Sequence, residues 1–102
     1  MTERAKKVFK MRKQIFREFE NECCFCLRPN PDLSHIFKRS THPELAAEKL
    51  NCIPHCRACH RHFEKMNVME GVICLNNYSD PSKKKLVNMR LKFVKEVLCI
   101  IA

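Results

Sequence analysis

Apolar side chains recur at helical spacing near both ends of the chain. Between Thr2 and Glu20 there is neither glycine nor proline, and apolar residues fall three or four positions apart, at Val8, Met11, Ile15, Phe16 and Phe19. After Pro81 the same period returns, at Leu86, Val87, Met89 or Arg90, Phe93, Val94, Val97 and Ile101. This periodicity predicts one helix over residues 1–20 and another over residues 82–102. We expect Phe9, Phe16 and Phe19 to lie in the core.

Between these helices the pattern is that of a turn, a hairpin and a further helix. Residues 21–31 are rich in cysteines and turn formers, and residues 33–37 alternate as a short strand does. Residues 41–50 predict no more than a helical turn, capped by Thr41 or His42. Pro54 favours extended backbone before it, and the pattern becomes helical past Cys56.

Residues 67–81 carry a weaker pattern. Gly71, the only glycine, and the stretch from Asn76 to Pro81 bracket a short apolar run from Val72 to Leu75. Because glycine and proline often interrupt regular elements, we interpret this run as a strand or an extended connector.

Length and charge narrow the class of protein. A chain of 102 residues has room for a single domain, and so small a core benefits from an additional staple. The net charge is +9, from 20 lysines and arginines against 11 acidic residues, with much of the excess in the two terminal segments. Such a surface attracts polyanions, although the same charges also occur on helices that are only solvated. Charge alone therefore leaves nucleic-acid binding open.

Eight cysteines include two Cys-x-x-Cys pairs. Two residues between thiolates let both sulfurs reach one tetrahedral ion, and two pairs complete a closed site. The sequence therefore predicts a structural zinc ion held by Cys23, Cys26, Cys56 and Cys59. The remaining cysteines lack this regular spacing, and we expect Cys74 and Cys99 to be small core residues. A closed four-sulfur site has no open position, so catalysis would need another metal.

The start of the chain, MTERAKKVFKMRKQ, lacks the apolar stretch of a secretory signal peptide. No run approaches the roughly 18 apolar residues that a membrane span requires. We therefore expect a soluble cytoplasmic protein without membrane partners, in which thiols stay reduced and available to metal.

The order of residues around the cysteine pairs carries a resemblance. Ser34-His35-Ile36 follows the first pair, Asn51 comes next, and His60 directly follows the second pair. From Cys23 to about Met66 this order resembles the His-Asn-His (HNH) endonucleases. The resemblance implies a small α+β fold in one domain, 1–102. Its zinc-stapled ββα-metal (His-Me finger) core would span 21–66, between the terminal helices 1–20 and 82–102.

Within that family the segment from His35 to His60 looks closest to phage recombination nucleases of the NinG/Rap kind. Those proteins tend to carry asparagine where this chain has His60, which points back to the broader HNH group. If the protein is phage-encoded, it would act in the host cytoplasm.

The resemblance also implies roles for individual residues. His35 is the general base, since an imidazole with a pKa of about 6.5 can deprotonate water at neutral pH. Asn51 either braces the loop behind that histidine or helps ligate metal. His60 would bind a catalytic divalent ion, Mg²⁺, Mn²⁺ or another, and Glu64, one helical turn along, would be its second ligand. Many family members have Asp or His in place of Ser34, so the ligands are either Asn51, His60 and Glu64 or a weaker set completed by DNA phosphate.

The function implied is metal-dependent hydrolysis of phosphodiester bonds in DNA. The basic residues expected to grip phosphates are Lys38, Arg39, Arg57, Arg61 and Lys65. Nothing resembles a base-reading module, so cutting should be weakly sequence-specific or structure-selective. The alternative is a non-catalytic, zinc-dependent nucleic-acid-binding module. The apolar C-terminal tail leaves a homodimer open, and His55, next to Cys56, is expected to contact a cysteine sulfur.

Overall fold

A computed structural model describes residues 2–101 and has a small α+β fold. Four helices accompany one two-stranded antiparallel sheet: α1 (Glu3–Glu18), β1 (Asp32–His35), β2 (Cys52–His55), α2 (Arg57–Glu64), α3 (Val68–Tyr78) and α4 (Lys84–Ile101). Met1 and Ala102, at the outer ends of the two predicted terminal helices, lie outside the described residues, as does the side chain of Ile101. No helix within 2–101 is both long and apolar enough to cross a bilayer.

Helix α1 begins where Thr2 caps it, with the Thr2 hydroxyl accepting a hydrogen bond from the Ala5 amide at 3.1 Å. Its buried stripe contains Met11 and Ile15, and Phe19 at the helix end is also fully buried. The expectation that Phe9 lies in the core is wrong, because that side chain is 51% exposed. Phe9 stands two positions before Met11, and such spacing places it on a different face of the helix.

Strands β1 and β2 pair with Asp32 opposite His55 and His35 opposite Cys52. The strand expected over 33–37 is therefore shorter, and Ile36 and Phe37 leave it to become core residues. Residues 36–51 form a long loop with short 3₁₀ turns at Pro43–Leu45 and Lys49–Asn51, in place of the single helical turn expected over 41–50. Helix α2 follows β2 after one residue and packs on the sheet.

The expected strand or connector over Val72–Leu75 is wrong, because these residues lie inside helix α3. A capping box starts this helix: the Asn67 side chain accepts from the Glu70 amide, and the Glu70 carboxylate accepts from the Asn67 amide. Gly71 serves close packing here instead of breaking the helix. A Cβ at Gly71 would lie 3.1 Å from the Phe63 ring, so glycine lets α3 approach α2.

Helix α4 closes the core through Val87 and Val94, which are fully buried. The sequence pattern allowed either Met89 or Arg90 on the buried face of this helix. Arg90 is the buried one, since it is fully buried while Met89 is 47% exposed. The Arg90 guanidinium donates to the Cys52 carbonyl at 2.9 Å and stacks 5.0 Å from the centre of the Phe19 ring. These contacts join α4 to β2 and α1. The prediction that Cys99 is a core residue is wrong, since it is exposed.

Candidate functional site

The two Cys-x-x-Cys pairs meet in one cluster. The sulfur atoms of Cys23, Cys26, Cys56 and Cys59 all lie within 4.8 Å of one another. Sulfurs around a tetrahedral zinc ion with bonds of about 2.3 Å stand roughly 3.8 Å apart, so the cluster fits that ion in both donor type and size. Among the described residues, these four form the one group of three or more His, Cys, Asp or Glu ligand atoms at such spacing.

Backbone hydrogen bonds hold the two halves of this cluster in place. The first pair sits in a tight turn, in which the Cys23 amide donates to the Arg28 carbonyl at 2.9 Å. Leu27 supports that turn with a left-handed backbone, at a φ of 64°. The amide of Cys24 donates to the carbonyl of Pro54 at 3.0 Å, which ties the turn to the strand that leads into the second pair. The cluster therefore has a backbone frame of its own.

The second pair opens helix α2. Cys56 is the N-cap residue, and its sulfur accepts from the Cys59 amide at 3.5 Å. Burial alone would raise the pKa of the Cys56 thiol, but hydrogen bonds from Cys59, Cys26 and Cys23 lower it to about 7. In contrast, burial raises the pKa of Cys52 to about 12, and Cys24 is buried in the apolar core. Burial likewise raises the pKa of Cys26 and Cys59, so it is the convergence of four sulfurs, and not thiol acidity, that distinguishes the regularly spaced cysteines as a ligand set.

A cleft of about 350 Å³ lies between β1, the loop that follows it and helix α2. Its walls contain the predicted general base His35 and both predicted ligands of the catalytic ion, His60 and Glu64. The cleft is also lined by Leu33, Ser34, Lys38, Arg39, Ser40 and Phe63. Residues that are far apart in sequence and share one expected chemistry therefore share one cleft.

His35 is held by the loop between the strands. Its Nε2 lies 3.0 Å from the carbonyl oxygen of Ala46, which can only accept, so Nε2 carries the hydrogen and Nδ1 keeps a lone pair. Burial lowers the pKa of His35 below 6.5, and the charges of Arg39, His60 and Lys38 lower it further, against the opposing effect of the Ala46 bond. The imidazole is therefore neutral at pH 7 and able to take up a proton.

His60 has a carboxylate partner that the sequence did not predict. Its Nδ1 lies 3.2 Å from the Asp32 carboxylate, which belongs to the first residue of β1. Arg57, one of the predicted phosphate contacts, lies 3.6 Å from the same oxygen through its Nε atom and is 74% exposed. Asp32 therefore joins the start of β1 to the first turn of α2. The one sequence signal for it is its place three residues before His35 on the same strand.

Asn51 is fully buried and uses both ends of its amide within the loop. Its oxygen accepts from the Phe37 amide at 2.7 Å, and its nitrogen donates to the carbonyls of Phe37 at 3.1 Å and Leu45 at 3.0 Å. These bonds draw the start and the end of the loop together directly after His35. Asn51 does not line the cleft.

Ser34 and His55 form a second pairing that the sequence did not predict. The Ser34 hydroxyl lies 2.7 Å from His55 Nδ1, and both side chains are buried. The His55 ring packs against both Phe25 and Phe63, with ring centres 4.5 and 4.6 Å away. Burial lowers the pKa of His55 to about 3, so it stays neutral. The expected contact of His55 with a cysteine sulfur is therefore wrong, because Nδ1 faces Ser34 and Nε2 has no hydrogen-bond partner within residues 2–101.

The predicted phosphate contacts have different surroundings. The Lys38 ammonium donates to the carbonyls of His35 at 3.4 Å and Phe63 at 3.2 Å, which uses two of its three hydrogens. Burial lowers the pKa of Lys38, and the nearby charge of Glu64 opposes that shift. The other four, Arg39, Arg57, Arg61 and Lys65, are exposed.

Comparison with known proteins identifies no relative of this chain. The chain matches no family model, no curated protein and no solved structure.

Proposed function

We propose that this protein is a metal-dependent DNA endonuclease of the HNH type. The observation that carries the proposal is that His35, His60 and Glu64 line one cleft beside the four-cysteine cluster. Support also comes from the order of elements, since β1, β2 and α2 form a hairpin followed by a helix. A ββα-metal core has that order, with its general base on the hairpin and a metal ligand on the helix.

The general base would act through Nδ1 of His35. Because Nε2–H is committed to the Ala46 carbonyl, Nδ1 is the nitrogen available to a water molecule in the cleft. As that water loses its proton to Nδ1, its oxygen forms a bond to phosphorus and the bond to the 3′-oxygen breaks. The 3′-oxygen then takes a proton from solvent. A neutral imidazole of lowered pKa suits this role at pH 7.

A divalent ion in the cleft would be held by His60 and Glu64. Such an ion supplies Lewis-acid stabilisation of the charge that develops on phosphate and on the leaving oxygen. Since the described part of the chain has no group of three such ligand atoms beyond the cysteines, water and phosphate oxygens of DNA would complete the coordination. Ser34 does not offer a substitute, because its hydroxyl pairs with His55.

Asp32 would be the positioning residue for His60. By accepting from Nδ1–H, a carboxylate fixes the tautomer of a histidine and leaves Nε2 as the nitrogen for a ligand. The 3.2 Å contact between Asp32 and His60 has this form. Asn51 would brace the loop behind His35, the first of the two roles that the family resemblance allows, because its side-chain hydrogen bonds within residues 2–101 are to that loop's backbone.

The DNA would be held largely through its phosphates. Arg39 lines the cleft, and Arg57, Arg61 and Lys65 are exposed on helix α2 or at its C-terminal end, the helix that carries His60 and Glu64. Contacts of this kind position DNA without reading its bases, so we expect weakly sequence-specific or structure-selective cutting. We also propose that the protein is similar in its activity to the phage recombination nucleases of the NinG/Rap kind.

Plasmid nicking tests the proposal. Zinc-loaded protein is incubated with supercoiled DNA and Mg²⁺, Mn²⁺, Co²⁺ or Ni²⁺, and nicked circles are quantified beside His60→Ala from a parallel preparation. We expect nicking that depends on the added ion and is lost in the variant. DNA binding without nicking under any of these ions would overturn the proposal in favour of a non-catalytic zinc-dependent binding module.

A further inference from the structure

A second groove adjoins the cleft on the side of helix α1. It has a volume of about 510 Å³ and is lined by Thr2, Arg4, Ala5, Val8, Phe9, Arg12, Arg39, Pro43 and Ala46. Arg39 lines both this groove and the cleft, so the two hollows share one guanidinium group. A chain of phosphates that leaves the cleft past Arg39 would next meet the groove.

The charges on α1 are largely free to bind an anion. Its exposed basic residues are Arg4, Lys6, Lys7, Lys10, Arg12, Lys13 and Arg17. Of these, only Lys6 lies near a carboxylate within residues 2–101, at 3.7 Å from Glu3. The Arg12 guanidinium instead lies 5.1 Å from the centre of the Phe16 ring. A cation over an aromatic face keeps its charge and its N–H groups available to a phosphate.

We propose that α1 and Arg39 form a phosphate-binding track that continues the cleft, so that DNA bound at the cleft extends along α1. This inference rests on the proposed function. The groove runs beside residues 2–12, which span roughly 15 Å of helix, about the rise of four base pairs. Arg4 helps to shape it, since its guanidinium donates to the Pro43 carbonyl at 2.8 Å. Arg12 and Arg39 are therefore the two groups that we assign to phosphate.

The salt dependence of DNA binding tests the track. Binding of a fluorescent 30-base-pair duplex to zinc-loaded protein is measured by anisotropy between 50 and 300 mM salt, without added Mg²⁺. Each lost phosphate contact makes the negative slope of log K against log salt less steep by about 0.9. We expect that loss in Arg12→Gln, about twice that loss in Arg12→Gln/Arg39→Gln, and affinity about tenfold weaker or more in the double variant.

The matched control is Lys92→Gln/Lys95→Gln, which removes two exposed charges from α4, beside a different groove. Its slope should change by much less than the roughly 0.9 expected for one lost phosphate contact. Equal slopes in the two double variants, or an unchanged slope in Arg12→Gln, would overturn the track, as would binding to anionic lipid vesicles in place of DNA. If wild-type protein nicks DNA and the two double variants bind with the same salt dependence, the track is refuted and the endonuclease proposal stands. Protein that shows the expected slopes without nicking would refute the endonuclease alone.

Discussion

The four-cysteine cluster and the adjacent cleft differ in how much of a metal site the protein itself supplies. At the cluster, four sulfurs lie within 4.8 Å of one another, and a hydrogen bond from the Cys24 amide to the Pro54 carbonyl holds its two halves together. At the cleft, His60 and Glu64 both line the walls, but within residues 2–101 no group of three His, Cys, Asp or Glu ligand atoms lies at that spacing there. The cluster is a complete set of four ligands, whereas the ion that we propose in the cleft would need further ligands from outside the protein.

This difference separates stability from chemistry. A closed four-thiolate site contributes folding free energy and leaves no position for a substrate, whereas an open site can accept one. The cluster and the cleft are adjacent in sequence, because Cys59 of the cluster directly precedes His60 of the cleft in helix α2. An ion at the cluster would therefore fix the first turn of the helix that carries His60 and Glu64, the proposed ligands in the cleft.

The largest effect should follow from breaking the cluster. Cys56→Ser removes one of four ligands, and structural zinc contributes on the order of 10 kcal/mol or more to small domains, as much as their whole stability. We expect the variant to be unfolded by circular dichroism and to hold no zinc by mass spectrometry. Cys99→Ser changes an exposed residue outside the cluster and should have the same unfolding temperature and zinc content as wild type. A well-folded, zinc-free Cys56→Ser would contradict the role of the cluster.

Removing the brace of the cleft should have a smaller, intermediate effect. Asn51→Ala deletes three hydrogen bonds in a buried position and removes the partner of the Phe37 amide and carbonyl, while the Leu45 carbonyl still accepts from the Glu48 amide. The cost should be about 3 kcal/mol of unfolding free energy, measured by urea denaturation of the zinc-loaded protein. Zinc content should not change, because the cluster lies elsewhere. Asn77→Ala, exposed on α3, is the control, and equal stability of the two variants would argue against the brace.

Changing the partner of His60 should affect activity without unfolding the protein. Losing the carboxylate that orients a metal-binding histidine costs about 10- to 100-fold in metal affinity or activity. We therefore expect Asp32→Ala to lower Mn²⁺-dependent nicking by that factor, and Asp32→Asn to retain more, since its amide oxygen can still accept from Nδ1. Glu96→Gln, exposed on α4, should behave like wild type. Equal activity of Asp32→Ala and wild type would remove Asp32 from the site.

The smallest effect is the shift in the titration of His35. Burial lowers its pKa, so it should bind a proton below pH 6.5, and nicking should decline only as the pH falls through that lowered value. Two-dimensional ¹H–¹⁵N spectra of the imidazole rings can follow the titration and should show the Nε2–H tautomer at pH 7. A pKa above 6.5 or the Nδ1–H tautomer would contradict the proposed use of Nδ1.

The parts of the molecule that local spacing determines could be predicted from the sequence. The cysteine pairs were identified because Cys-x-x-Cys has a tight-turn geometry that depends little on the rest of the chain. The extended segment before Cys56 and the helix after it followed from Pro54 and the apolar period, and both are present. The roles of His35 and His60 came from the family resemblance, and Glu64 was chosen from its position one helical turn after His60 together with that resemblance.

Features that depend on tertiary contacts could not be predicted. Gly71 predicted a break, yet it permits α3 to approach Phe63, a contact that no local pattern contains. The Asn67–Glu70 capping box was a local signal for that helix, but our prediction did not use it. The pairing of Asp32 with His60 joins residues 28 positions apart. It becomes visible only once β1 and α2 are packed together.

The most direct test of the proposed division between a stabilising cluster and a cutting cleft is plasmid nicking by zinc-loaded His35→Ala. His62→Ala, which removes an exposed histidine from the same helix as His60, is the matched control. We predict that His35→Ala nicks at least about 100-fold more slowly than wild type, while its zinc content and unfolding temperature stay the same. Undiminished nicking by a folded, zinc-loaded His35→Ala would contradict the assignment of the cleft as a nuclease site.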